Sequence, residues 1–534
     1  MDRNLSYRYP STRKVVFGTK GMVATSQPLA AQAGLDILKQ GGNAVDAAVA
    51  AAAMLAVTEP MSNGVGGDAF ALVWSGGRLH GLNSSGRSPA LLSAEAVRNR
   101  GFSEVPRFGW LTVTVPGIPA AWAELSKTFG RLPLTRTLEP AVACAEDGWP
   151  VAPVTAASWK RFEKEFLSGL AGPEYAPLRD TFFPSGRSPL AGELFRLPEL
   201  AETLKELAAT GCESFYRGGL AEKIDRFSRA TGGLLRKSDL ERHSSDWVRP
   251  LHVLYRGYEV SELPPNGHGI VALMALNLLK GFPMESRDSA LCIHRMIESM
   301  KLAYEDGKAY VGDPAAMKVS AENLLSESYA EERRSLIGGR AILPRAGQPE
   351  KGGTVYLCTA DAEGNMVSYI QSSYCSFGSG LVVPETGISL QNRGMNFSMD
   401  PESGNFIGPG KRSYHTIIPA FLSKDGVPVG PFGVMGGFMQ PQGHLQVVTN
   451  TVDFGLNAQQ SLDAPRWRWT GGNRIEVEPE FPPYLVRELA DRGHEISIST
   501  VTDDFGRGQI IWRNSQGVFT GGSESRADGQ VAAW

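Results

Sequence analysis

What this chain has little of narrows its function before any motif is read. It has no surplus of positive charge: 53 Lys and Arg face 56 Asp and Glu in 534 residues, a formal net charge of −3. A nucleic-acid binder or a polybasic membrane protein carries a basic excess, so both classes are set aside. Cysteine is sparse. Cys144, Cys212, Cys292, Cys358 and Cys375 are odd in number and form no Cys-x-x-Cys pair, so no disulfide framework is expected and a reducing compartment fits. The most apolar run, residues 47–57, is well short of the ~20 residues that cross a bilayer. The first twenty residues carry Asp2, Arg3, Arg8, Arg13 and Lys14 without an apolar stretch, so no secretory signal is read and a cytoplasmic location is expected.

Familiar catalytic signatures are missing too. The eight histidines contain no pair four apart, which excludes a helical His-x-x-x-His zinc site. No serine has glycines two residues to either side, so the nucleophile elbow of the α/β-hydrolases is lacking, and no GxxxxGK[ST] phosphate loop occurs. Gly64-Val65-Gly66-Gly67-Asp68 is only loosely like a phosphate cradle. It reads as pocket lining or a tight backbone crossing. No metal or cofactor is called for.

Turn formers are abundant, with 61 Gly and 34 Pro, while 42% of the residues are hydrophobic, enough for a large core. Residues 27–40 and 44–57 read as helices, the first stopped by Gly41-Gly42 and the second capped by Asn43. The second is apolar on nearly every face, so it is expected between layers. Residues 116–130, 194–209, 270–279 and 289–305 continue the helical reading. After about residue 350 the texture turns to strand pairs. Residues 354–360 and 366–372 flank the turn Asp361-Ala362-Glu363-Gly364-Asn365, and two further pairs flank Lys424-Asp425-Gly426 and Asn514-Ser515-Gln516-Gly517. Helices followed by strand pairs, without βαβ alternation, predict a layered α+β fold in one compact unit.

Several segments, in order, resemble one family. They are residues 41–50, Glu59-Pro60, Gly64 to Asp68, Val115-Pro116-Gly117, Pro264-Pro265, Gly312-Asp313-Pro314, Gly436-Gly437 and residues 522–529. Together they resemble the γ-glutamyltranspeptidases, a family of N-terminal-nucleophile hydrolases. The resemblance implies a four-layer αββα sandwich and a precursor that cuts itself into a large subunit, 1–353, and a small subunit, 354–534. Lys351-Gly352-Gly353-Thr354-Val355-Tyr356 then holds the cleavage site, Gly353–Thr354, with Thr354 as the implied nucleophile. A threonine hydroxyl needs a base, and a freed α-amine, with a pKa of about 7.7–8.0, serves as one. The resemblance also implies Gly436 and Gly437 as oxyanion donors and Ser372 as the hydroxyl assisting Thr354.

The positions that would hold a glutamyl group depart from the family. Ser85 stands where the family has an arginine, and Arg87 is two residues away. Asn396 replaces the acid that grips the α-ammonium, His415-Thr416 replaces a serine pair, and Tyr374 replaces an asparagine. With the acid gone and Arg87, Arg393 and His415 nearby, the site is expected to prefer a small anion. The substrate-binding set is therefore Arg87, Tyr374, Arg393, Asn396, His415 and Thr416. The leading expectation is a self-processing amidohydrolase for a small carboxylate-bearing amide, oxamate being the candidate. A γ-glutamyl hydrolase or transferase, and a non-catalytic binding protein that kept the fold, stay open, as does homo-oligomerisation. No nucleic-acid or membrane partner is expected.

Overall fold

The computed structural model describes residues 13–344 and 353–534; the side chains of residues 353, 354, 502 and 503 lie outside the description, as do Lys351 and Gly352 of the expected processing segment. Among the described residues two antiparallel seven-stranded sheets dominate. The first runs, edge to edge, Gln530–Ala533, Gly21–Thr25, Gly353–Asp361, Met366–Tyr374, Asp68–Ser75, Arg78–Ser84 and Asp246–Val248. The second runs Val16–Gly18, Phe519–Ser523, Arg507–Arg513, Val427–Met435, Ala420–Lys424, Tyr258–Glu262 and Leu251–Tyr255. The sheets face one another where Gly353–Asp361 and Met366–Tyr374 pack on Val427–Met435.

Helices cover the outer faces. Pro28–Lys39 and Ala44–Thr58 pack together, and the second lies against Gly353–Asp361 and Met366–Tyr374. Every residue of Ala44–Thr58 is buried, and its alanines let sheet and helix approach closely. Asn43 caps it as expected, accepting from the N–H groups of Val45 and Asp46, while the Asp46 carboxylate accepts from the Asn43 N–H. On the other side Gly269–Leu279, also wholly buried, packs on Leu251–Tyr255 and Tyr258–Glu262, between Ala290–Tyr310 and Gln440–Val452. Two large apolar cores result: one lies between the second sheet and its helices, and the other takes in the first sheet, its helices and residues of the second sheet that face it. No helix among the described residues is long and apolar enough to cross a membrane.

The expected division into a helical first part and a strand-rich second part holds only loosely. Half of the strands of the two sheets precede residue 350. Asp68–Ser75 shows why they escape notice: its first six residues are buried regardless of face, so the strand carries no polar alternation. The glycine-rich loop before it is a tight backbone crossing. A Cβ at Gly66 would lie 2.2 Å from the Ser389 carbonyl oxygen.

Candidate active site

The hairpin that carries the expected nucleophile position is anchored at its turn. Asp361 Oδ1 accepts from the N–H groups of Glu363 (3.0 Å) and Asn365 (3.1 Å), and its Oδ2 accepts from Ala44 at the start of the buried helix (2.9 Å). At the opposite end the ladder shifts register. Val355 pairs with Gln371, whereas Gly353 pairs with Tyr374, so the extra residue lies in the Met366–Tyr374 strand, where Ser372 and Ser373 stand opposite the single position 354. Such a bulge bends its own strand, here at the end that leads into Tyr374. Ser372 is buried in the partner strand, and its Oγ accepts from the Tyr374 N–H at 2.8 Å. Tyr374 itself holds φ at 79°, a left-handed conformation that a tyrosine adopts only under local constraint.

A buried arginine lies over that tyrosine. The Arg393 guanidinium carbon is 4.2 Å from the Tyr374 ring centroid, and Nη1 donates to Thr416 Oγ1 at 2.7 Å. Arg393 is 1% exposed, yet its Nε and Nη2 have no hydrogen-bond partner among the described residues. Burial lowers its pKa to about 10, with Tyr374, Asp68 and Cys375 opposing that shift. A cation kept out of water with open N–H groups is suited to a planar anion such as a carboxylate.

Gly436 and Gly437 follow the strand Val427–Met435. Their φ angles are 137° and 56°, and no acceptor among the described residues takes their N–H groups. Phe438, the next residue, stacks on Tyr414 with centroids 5.9 Å apart. Tyr414 stands within electrostatic reach of Tyr374, whose backbone pairs with Gly353. The two glycines, the aromatic pair and Arg393 thus belong to one neighbourhood at the start of the Gly353–Asp361 strand.

Three of the expected ligand residues are engaged elsewhere. The Arg87 side chain is half exposed and meets Asp313 Oδ2 at 3.3 Å and the Gly410 carbonyl at 3.1 Å, an ion pair that locks two loops. Asn396 donates its amide to the Tyr414 carbonyl (3.0 Å), bracing a loop. His415 is 1% exposed, accepts the Ile417 N–H at Nδ1 (3.3 Å), and therefore carries its proton on Nε2, 3.1 Å from Asp68 Oδ2. Burial first, then Arg393, His268 and Arg412, hold its pKa well below the ordinary histidine value, so it is neutral.

Asp68 is the residue that sequence reasoning passed over. It is fully buried, and its Oδ1 accepts from Gly86 N–H (3.0 Å) and Gln391 Nε2 (2.9 Å). Burial pushes its pKa up to about 7, against the pull of Arg393, the two N–H donors and Arg412. The signal was there: an acid ends the glycine-rich loop at the head of an apolar strand, where carboxylates are rarely left without a task. A second buried cluster, His294, Glu298 and His494, could also supply metal ligands among the described residues. Its groups already have partners. His294 Nδ1 and His494 Nε2 are 2.8 Å apart, His294 Nε2 faces the Gly338 carbonyl at 3.1 Å, and Lys301 donates to Glu298 at 2.7 Å. That network pins the segment around Gly338 and Ile342 to the core.

The sequence profile described as Gamma-glutamyltranspeptidase matches residues 30–534. The crystal structure of cephalosporin acylase from Bacillus halodurans superposes with a TM-score of 0.96 at 56% identity, covering 100% of this chain and 99% of that one. The glutathione hydrolase-like YwrD proenzyme of Bacillus subtilis is 37% identical over 97% of this chain and 99% of its own length. The oxamate amidohydrolase proenzyme of Klebsiella pneumoniae is 33% identical over 97% of this chain and 99% of its own. With a match of that extent and relatives aligned nearly end to end, this chain is an enzyme of the gamma-glutamyltranspeptidase family.

Proposed function

We propose that this chain is a self-processing amidohydrolase that hydrolyses a monoamide of a dicarboxylic acid, of which oxamate is the shortest. The observation that carries this reading is Arg393: buried, charged, and with Nε and Nη2 open beside Thr416 and Tyr374. The substrate carboxylate pairs with those N–H groups, which places the amide carbonyl toward the start of the Gly353–Asp361 strand. Asn396 offers no charge to an α-ammonium and already donates to Tyr414, which disfavours a γ-glutamyl substrate. The relatives named for oxamate amidohydrolase and cephalosporin acylase activity both fit amide hydrolysis.

In this reading the four layers form the αββα sandwich of the N-terminal-nucleophile hydrolases. The precursor is cut between Gly353 and Thr354 into subunits 1–353 and 354–534, as the proenzyme names of the relatives suggest. The freed α-amine of Thr354 takes the proton of its own hydroxyl, and Oγ attacks the amide carbonyl. The oxygen that gains charge is met by the N–H groups of Gly436 and Gly437, each such donor contributing about 3–4 kcal/mol in comparable sites. The amine leaves with the proton, and water releases the acid from the Thr354 ester by the reverse transfers. Ser372, held against the Tyr374 N–H, supports the nucleophile from the adjacent strand. The five free cysteines are consistent with a cytoplasmic enzyme.

The test is a substrate series with the matured enzyme: oxamate, succinamate and glutaramate, each against the uncharged amide of equal length, and a γ-glutamyl anilide. Ammonia release that favours one carboxylate-bearing member over its neutral counterpart is expected. Faster turnover of the γ-glutamyl donor than of every monoamide overturns the proposal.

A further inference from the structure

Asp68, His415, Thr416 and Arg393 form a continuous buried line. Asp68 Oδ2 meets His415 Nε2 at 3.1 Å, Thr416 is the next residue in the chain, and its Oγ1 takes Arg393 Nη1 at 2.7 Å. Gln391, two residues before Arg393, donates to Asp68 Oδ1 at 2.9 Å. The backbone of Asp68 is also registered opposite Ser372 in the first sheet. Asp68, Arg393 and His415 are 0%, 1% and 1% exposed, so water does little to screen them from one another.

We propose that Asp68 and His415 act as one proton-binding pair that sets the preference for anionic substrates: the pair is the internal counter-charge of Arg393 and takes up one proton from solvent when a substrate carboxylate binds that arginine. The inference rests on the reading of Arg393 as the carboxylate site. Before binding, the pair carries one negative charge facing one positive guanidinium. A bound carboxylate would leave these buried groups with a net negative charge, and one added proton restores neutrality.

The hydrogen bonds say where that proton goes. Both Asp68 oxygens already accept, Oδ1 from Gly86 and Gln391 and Oδ2 from His415. The weakest acceptance in the pair is the 3.3 Å contact from Ile417 N–H to His415 Nδ1. The new proton therefore enters at Nδ1, where that contact is given up, and the proton already present passes from Nε2 to Asp68 Oδ2, so the carboxyl is neutralised while the imidazole stays neutral. Titration then belongs to the pair rather than to either residue. The other charged or titratable groups facing it are Arg412, His268, Tyr216 and Tyr374; Arg412 and Arg393 pull the Asp68 carboxyl down, and burial raises it to about 7. When a carboxylate occupies Arg393, that downward pull is cancelled and proton affinity rises. The sign follows. Above pH 7 the free pair is deprotonated, so binding an anion requires proton uptake, and KM for an anionic amide rises with pH while KM for a neutral amide does not.

The experiment is calorimetric titration of the matured enzyme with oxalate, succinate and glutarate at pH 8, in phosphate and in Tris. The difference in apparent enthalpy between buffers of unlike ionisation heat counts the protons. Uptake approaching one proton is expected with any acid that binds, together with an anionic-to-neutral KM ratio that climbs about tenfold per pH unit above neutrality. Binding without uptake overturns the proposal. Asp68→Asn should bind the acid with no uptake and with a flat KM ratio; uptake that persists in this variant overturns the proposal as well. If Asp68→Asn does not fold, His415→Gln takes its place, since its amide still donates to Asp68 but has no Nδ1 to protonate. Failure of all three acids to bind, or equal binding by Arg393→Gln, removes the carboxylate reading of Arg393 and this inference with it.

Discussion

Arg393 lies over Tyr374, its guanidinium carbon 4.2 Å from the ring centroid, with a single hydrogen bond among the described residues, to Thr416. The contact ties that guanidinium to the residue that pairs with Gly353. Tyr374 holds φ at 79°, so the residue that carries the ring contact with Arg393 and the pairing with Gly353 sits in a left-handed backbone conformation.

Arg393→Gln tests what that cation does. Hydrogen bonds to a charged group contribute about 1.5–3 kcal/mol, so KM for the preferred carboxylate amide should rise about 10- to 100-fold. The neutral amide of equal length should change less than about threefold. Removing the guanidinium leaves buried Asp68 without its counter-charge, so the melting temperature should fall at pH 8, and the kinetics are read on the folded variant. Equal losses on both substrates, in steady-state kinetics, would reassign Arg393 to scaffolding.

Processing is tested at the bond itself. Amino-terminal sequencing of the smaller fragment should begin Thr354-Val355-Tyr356, with the larger fragment ending at Gly353. Thr354→Ala should fold, stay whole and hydrolyse nothing, while Thr354→Ser should process slowly because a hydroxyl remains. A fully active single chain would remove the mechanism.

How much of this was legible beforehand differs by element. Asn43 with a following apolar run announced the helix Ala44–Thr58, and the Asp361–Asn365 turn announced its hairpin, because caps and turns are decided by a few adjacent residues. Arg393 and Thr416 were legible only through a family resemblance, and their pairing across 23 positions needed the fold. Arg87 shows the opposite limit. Its place two residues after the family's arginine position put it near the ligand, but Asp313, far away in sequence, holds it. Asp68 and His415 were both in view, and nothing in one dimension said that they touch.

Gly436→Ala addresses the proposed oxyanion donors. At φ 137° an L side chain is disfavoured, and a Cβ there would sit 3.1 Å from Gly506 Cα, a backbone atom that has little room to yield. The peptide must rotate, and its N–H with it. We expect kcat to fall about 100-fold with KM changed only a few-fold, the pattern of a group acting in the transition state. Loss confined to KM would exclude Gly436 from that role.

The last prediction starts from Glu524, in the chain-end segment that resembles the family. Glu524 is fully buried, with Arg466 Nη2 at 2.7 Å, Arg526 Nη1 at 2.5 Å and the Gly508 N–H at 2.9 Å. Burial acts to raise its pKa, but the two arginines and the N–H donor outweigh it and hold the carboxyl below the ordinary 4.5. A depressed carboxyl stabilises the fold above the unfolded-state value, and that stability is lost as pH falls through the folded value. Glu524→Gln should cost about 3–5 kcal/mol at pH 7, because it strands buried Arg466. The gap between variant and wild type should then shrink as pH drops below 4.5, in denaturant melts followed from pH 7 to pH 3. The effect should reach the active site. Arg466 Nη1 donates to the carbonyls of Phe505 (2.9 Å) and Gly506 (2.8 Å), and Gly506 is the backbone on which Gly436 rests. Folded Glu524→Gln should therefore also lose kcat, several-fold, with KM held. A stability gap that stays constant down to pH 3 would mean that Glu524 is not charged in the native protein, and an unchanged kcat would disconnect the network from Gly436.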